Sequence, residues 1–245
     1  MWWCASQTVR WFLNAPCSLC SNTPRHHNTT GVFPLTLEIL TFSLGPLDNN
    51  TYLLVDTATN EAVIVDPTFD SHQIAQVILE RKIKLTQIWL THAHFDHIAG
   101  AKLFSQFSEP ALPIGIHRDD LELYLTGGGA GLFGIKMPDM PEPTLFFEHG
   151  QILQVGEEEV EVRHTPGHSR GHVIFYAPQA NAAIVGDLIF QNGVGRTDLP
   201  GGSSTQLLKS IYQQVLTLPP ETRLLPGHGP ETTVQEEADN NPYLN

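Results

Sequence analysis

Cysteine is nearly absent from this chain, and its three cysteines, Cys4, Cys17 and Cys20, are confined to the first 20 residues. No disulfide frame can hold the remainder together. The single Cys-x-x-Cys pair near His26 and His27 lacks the second pair that a structural zinc site needs, and it reads as part of an unpaired tail. Long apolar runs are missing too. None approaches the roughly 18–20 residues of a membrane-spanning helix, which argues against a membrane partner. Basic residues are scarce, with 13 Lys and Arg against 26 Asp and Glu and a net charge of −13. A protein built to grip phosphate backbones is basic, so nucleic acid is not the expected partner.

Acidic residues are missing from one region. All 26 fall beyond residue 37, and the segment before them carries only Arg10 and Arg25. That break sets residues 1–34 apart as an N-terminal extension expected to be poorly ordered, with a domain over 35–245. The extension does not fit a secretory signal, because no basic segment precedes an apolar stretch and Trp2, Trp3 and Trp11 are scattered among polar residues. A cytoplasmic protein is expected, with organelle targeting by residues 1–34 left open.

The chain does have enough apolar material, 41% of 245 residues, to fill a core. From residue 35 onward strands and helices alternate. Strands are expected over 35–42, 50–55, 62–65, 87–90 and 114–116, and helices over 71–82, 99–107 and 118–125. The segment 126–147 differs in kind: it is rich in Gly and Pro yet carries Leu132, Phe133, Ile135, Met137 and Met140. A loop this long in a compact domain is a functional flap or a surface connection. Beyond it the alternation resumes, with strands over 151–155, 159–163, 173–176, 182–185 and 223–225 and helices over 205–217 and 234–238. The pattern predicts an α/β domain of two sheets with outer helices.

The chemistry is concentrated in His92-x-His94-x-Asp96-His97, directly after an apolar strand. A loop leaving a strand can aim His92 and His94 one way and Asp96 and His97 the other, which supplies two neighbouring metals rather than one. Imidazole and carboxylate without thiolate suit zinc, iron or manganese. His168 in Thr-Pro-Gly-His-Ser, Asp187 after an apolar strand and Gly186, and His228 in Pro-Gly-His-Gly also sit at strand ends. Each taken alone would be a core, surface or turn residue. They become candidates because the first cluster cannot complete two coordination shells by itself. His72, His117 and His149 have only ordinary readings.

These motifs, in this order, resemble the metallo-β-lactamase superfamily, and within it the glyoxalase II-like (hydroxyacylglutathione hydrolase-like) single-domain proteins. The resemblance implies an αββα sandwich of two mixed sheets with helices on the outer faces. It implies one metal held by His92, His94 and His168, a second held by Asp96, His97 and His228, and Asp187 bridging them. His172 is no ligand in that pattern and is expected to be a packing or supporting histidine. Two divalent ions, zinc first and iron or manganese next, would share a water and lower its pKa from about 15.7 toward ~7. Asp96 would orient the resulting hydroxide. A thiolate leaving group, with a pKa near ~8.5, needs little acid help. The expected activity is hydrolysis of a small-molecule thioester, hydroxyacylglutathione or a relative, with a homodimer left open. Arg196, Phe133 and Met137 are candidate substrate contacts, although Arg196 could equally be paired with Asp198.

Two features depart from the full-length glyoxalase II pattern: little chain follows His228, and Gly195-Arg196-Thr197-Asp198 stands where those enzymes place a Lys and a Tyr against glutathione. That same stretch resembles the mono-iron persulfide dioxygenases of the superfamily, whose iron ligands match His92, His168 and Asp187. The dioxygenase is the alternative reading. A β-lactamase or another ester or lactone hydrolase stands behind it, and a non-enzymatic metal binder would not need so complete a ligand set.

Overall fold

The computed structural model describes residues 36–244, so the extension expected over 1–34, with its cysteines, lies outside the described residues. The first sheet has six strands in sequence order: β1 (Leu37–Leu44), β2 (Asn49–Asp56), β3 (Glu61–Val65), β4 (Lys84–Trp89), β5 (Ile114–His117) and β6 (Leu145–Phe147). The first three strands are antiparallel and the last four, β3 to β6, run parallel. The second sheet contains β7 (Ile152–Val155), β8 (Glu158–His164), β9 (Val173–Ala177), β10 (Ala182–Gly186), β13 (Arg223–Pro226) and β14 (Thr232–Thr233), in the order β14-β13-β10-β9-β8-β7. Only β10 and β13 are parallel neighbours within it. A small hairpin, β11 (Ile189–Phe190) with β12 (Gly193–Val194), follows β10.

The period-2 geometry of a strand sends alternate side chains to opposite faces. In β2, Tyr52 and Leu54 join the core shared by both sheets, whereas Leu53 and Val55 pack against the helices outside. In β10, Ala182 and Ile184 join the shared core, while Ala183 and Val185 face the other helical layer. The outer layer of the first sheet is formed by α1 (His72–Glu80), α3 (Ala101–Ser105) and α4 (Leu121–Leu125), which bury Ile74, Ile78, Phe104 and Tyr124. That of the second sheet is formed by α5 (Ser204–Ser210) and α6 (Val234–Asn240), which bury Leu207 and Val234. The result is helices, sheet, sheet, helices, the αββα sandwich expected. Among the described residues no helix is long and apolar enough to cross a membrane.

Several elements differ from the sequence expectation. The helix expected over 99–107 is instead α2 (Phe95–Ile98) and α3, separated at Gly100, whose N–H donates to the Pro67 carbonyl at 2.7 Å. A Cβ at residue 100 would press on the Thr68 carbonyl at 2.7 Å, so a tertiary contact rather than local propensity divides the helix. The helix expected over 205–217 ends as a π turn over Ile211–Val215. The segment 126–147 is not all loop: it contains a 3₁₀ turn (Ala130–Phe133) and ends in β6. Three residues are too few to display a period, yet Phe147 is buried edge-on against Trp89 at 6.4 Å.

The parallel strands β3 and β4, and β10 and β13, bring their carboxyl ends to one rim, where α/β folds place ligand-binding loops. A bridge between Asn49, at the start of β2, and His228, just beyond β13, ties the two sheets together there.

Candidate metal centre

The loop after β4 is pinned before its histidines begin. Thr91 donates through its backbone N–H and its hydroxyl to the Asp66 carboxylate, at 2.7 and 2.6 Å. Asp66 itself follows directly from the carboxyl end of β3. The backbone then runs extended to His94 and turns into the single-turn helix α2. His92 and His97 nonetheless stay close, their ligand atoms and an oxygen of Asp66 lying within 4.8 Å of one another. The ligand atoms of His92, His94 and His168 lie within 4.8 Å of one another, and those of Asp96, His97 and His228 do likewise. Asp187 stands between the groups: Oδ1 is 3.4 Å from His97 Nε2, and Oδ2 is 3.6 Å from both His168 Nε2 and His228 Nε2.

Four rings are held with Nδ1 turned away from the centre. His92 Nδ1 meets the Thr91 hydroxyl at 3.0 Å, and His97 Nδ1 donates to Asp66 at 3.0 Å. His168 Nδ1 donates to the Arg196 carbonyl at 2.8 Å and His228 Nδ1 to the Leu47 carbonyl at 3.0 Å. Each contact fixes the tautomer whose Nε2 lone pair points inward, the arrangement that orients histidine ligands in metal sites. Asn49 donates to Asp96 Oδ2 at 2.9 Å.

Electrostatics follow from this crowding. Burial, with the neighbouring rings of His97, His168 and His94, holds His92 far below the ordinary imidazole value. Burial and His168 push His94 down to about 3. Burial alone would raise Asp96 and Asp187, but the charge of His97 first, with His228 and Asn49 beside Asp96 and His168 and His228 beside Asp187, holds both below the usual carboxylate range. Burial would lower His97, yet Asp187 and Asp96 together hold it well above its ordinary value. His92 Nε2 and Asp187 Oδ1 are fully buried without any hydrogen-bond partner, which a protein rarely tolerates. A Cβ at Gly227 would collide with the Asp187 carboxylate, so the residue there must be glycine for that carboxylate to stay where it is. Inward lone pairs, orphaned buried atoms and a nitrogen–oxygen donor set fit divalent metal ions.

Other candidates separate. His172 belongs to neither group; its ring stacks on His92 at 5.2 Å and its Nδ1 meets the Thr165 hydroxyl at 2.8 Å. Arg196 is paired with Asp198 through two hydrogen bonds of 2.8 Å, and it also lines the cavity over the centre. Phe133 lines that cavity too, 5.5 Å from Phe95. Met137 does not. Beyond the left-handed turn at Gly134 it packs on the outer core of the first sheet and borders a separate depression with Tyr124 and Leu125. His117, read as ordinary, stacks on His164 at 4.0 Å and 8° and lies near Asp119. Parallel rings cannot both aim in-plane lone pairs at one ion. His72 and His149 are exposed.

Three supporting residues escaped sequence reasoning. Asp66 ends a strand before a proline, and Asn49 sits in an Asn-Asn pair; both pass for turn residues. Asp120 is buried, and burial holds its carboxyl above the usual range despite its hydrogen bonds. It accepts from Ala93 N–H at 3.1 Å, the Ser169 hydroxyl at 2.6 Å and Gly171 N–H at 2.6 Å. It thereby clamps the His92–His94 loop to the His168–His172 loop.

Comparison with known proteins follows this geometry. A family model described as the metallo-beta-lactamase superfamily matches residues 44–228. The chain is 40% identical over 206 residues to the probable metallo-hydrolase YqgX of Bacillus subtilis, covering 82% of this chain and 95% of that protein. It is 33% identical to the hydroxyacylglutathione hydrolase GloC of Haemophilus influenzae, covering 80% and 92%. Among solved structures, TTHA1623 in a di-iron-bound form superposes with a TM-score of 0.74 at 38% identity, covering 84% of this chain and 100% of that one.

Proposed function

From the fact that the chain belongs to the metallo-beta-lactamase superfamily and resembles a probable metallo-hydrolase along most of its length, we propose that it hydrolyses thioesters at a two-metal centre. His92, His94 and His168 would hold one ion and Asp96, His97 and His228 the other, with Asp187 serving both. Bound divalent ions at such a centre supply a water acidified to near-neutral pKa and polarise a carbonyl.

The chain's own residues prepare the rest. Asp96, kept ionised and accepting from Asn49, can orient a water molecule toward the cavity. The rings of His92, His97, His168 and His228, fixed through Nδ1, cannot rotate away. No Ser, Cys or Lys nucleophile is required. A thiolate leaving group near pKa ~8.5 departs with little acid help, which makes a thioester better suited to this site than an amide. Identity to GloC supports a substrate of the hydroxyacylglutathione class or a related thioester.

The observation that carries this reading is the pair of three-residue groups with Asp187 between them. Metal analysis of the purified protein, coupled to a thioester cleavage assay, tests it. Two ions per chain and thiol release are expected, with zinc first and iron or manganese as alternatives. A single iron, with oxygen consumed on glutathione persulfide and no thioester cleavage, would replace the hydrolase with the dioxygenase.

A further inference from the structure

The cavity over the centre is about 560 Å³, within the range of small-molecule sites. Its floor is polar, but Leu47, Leu132, Phe133, Ile135 and Leu199 make the remaining wall apolar. Several of these are left open in the unliganded protein: Leu132 is 65% exposed and Phe133 51%. Exposed apolar side chains that converge on one cavity mark a binding surface. Phe133 is held beside the centre because Phe95, between His94 and Asp96, packs on its ring and donates its N–H to the Gly128 carbonyl at 3.0 Å.

Charge is equally informative. Among the described residues Arg196 is the only Lys or Arg bordering the cavity, and its guanidinium gives two hydrogen bonds to Asp198. A substrate carboxylate, such as those of glutathione, would meet a guanidinium whose charge Asp198 already offsets. The chain's net charge of −13 adds no attraction for an anion.

We infer that this cavity selects thioesters with an uncharged, apolar acyl arm over thioesters of a carboxylate-bearing thiol. This rests on the thioesterase reading and specifies its substrate class. The acyl chain lies against Leu132, Phe133 and Ile135, and the Arg196–Asp198 pair, neutral as a whole, offers an anion little net attraction.

The test compares N-acetylcysteamine thioesters of two-, four- and six-carbon acids with lactoylglutathione, using the metal-loaded protein. Burial of each methylene should raise kcat/KM roughly fourfold, and hexanoyl should exceed lactoylglutathione by more than about tenfold. Phe133→Ser should flatten the chain-length dependence. Asp198→Asn should free Arg196 and shift the ratio several-fold toward lactoylglutathione. Calorimetry with non-hydrolysable hexyl and methyl thioethers of N-acetylcysteamine should show the same preference for the longer arm. A flat series, equal thioether affinities, or lactoylglutathione as the better substrate would overturn this inference and leave the thioesterase standing. No cleavage of any thioester would overturn both.

Discussion

The loops at the strand ends and the segment 126–144 line one cavity but are built in opposite ways. His92 and His97 are fully buried, and their rings are anchored by the Thr91 hydroxyl and the Asp66 carboxylate. Leu132 and Phe133 stand half open on a 3₁₀ turn bounded by left-handed glycines 129 and 134. Burial with satisfied hydrogen bonds resists local opening, whereas few buried contacts permit it. Under the proposed function chemistry belongs to the rigid region and substrate selection to the loose one, so changes in the first should cost metal and turnover while changes in the second should cost affinity alone.

The sharpest way to break that division is Asp187→Ala. It removes the carboxylate that faces both groups, and we expect no turnover above background and metal content lowered by about half or more. Mass spectrometry for metals and a thiol-release assay check this. His172→Ala removes a buried ring that belongs to neither group, so both metals should remain; loss of metal there but not in His168→Ala would reverse the assignment.

Asp120→Ala should come next. It leaves Ala93 and Gly171 N–H groups buried without an acceptor, at about 1–3 kcal/mol for each such group. Melting should fall by several degrees, at about 2–4 °C per kcal/mol. Because two ligand loops lose their clamp, metal affinity should drop by about 10–100-fold. Unchanged metal affinity would show that the loops hold their places unaided.

Shortening the segment between Gly129 and Lys136 tests the loose region. KM for thioesters should rise several-fold with both metals retained, because Gly128, which contacts Phe95, is spared. Unchanged kinetics would make the segment structural, and loss of metal would join it to the rigid region.

The smallest effect concerns His117, away from the centre. Burial first, and the stacked ring of His164 second, hold its imidazole below the ordinary 6.5. The unfolded chain therefore takes up this proton at higher pH than the folded one does. Stability from this residue is complete above about pH 6.5 and declines as pH falls below it. His117→Asn should flatten the slope of denaturation midpoint against pH just below about 6.5 and leave the slope above pH 7 unaltered.

Sequence reasoning reached the rigid region well and the loose one poorly, for physical reasons. The run from His92 to His97 is legible because no packing rule calls for four metal-capable side chains after an apolar strand. Asp66, Asn49 and Asp120 are not, because their partners, Thr91, Asp96 and Ser169, are distant in sequence and a lone Asp or Asn near a turn is commonplace. Phe133 and Met137 looked equivalent as apolar residues among glycines. Their surroundings separate them, since Phe133 lines the cavity and Met137 packs on the core. The division of the helix at Gly100 was hidden for the same reason, since its cause is the contact with residues 67 and 68.

The bridge from Asn49 to His228 has a consequence for the order of events during synthesis. His92, His94, Asp96 and His97 follow strands of the first sheet, whereas His168, Asp187 and His228 follow strands of the second. Neither triad is complete within one sheet. A ribosome that has made the first half has therefore completed neither of these two triads, and the last ligand appears only after β13 has been translated. If the two triads hold the ions as proposed, capture waits for the two sheets to meet, and an ion encountered earlier would find only part of either triad.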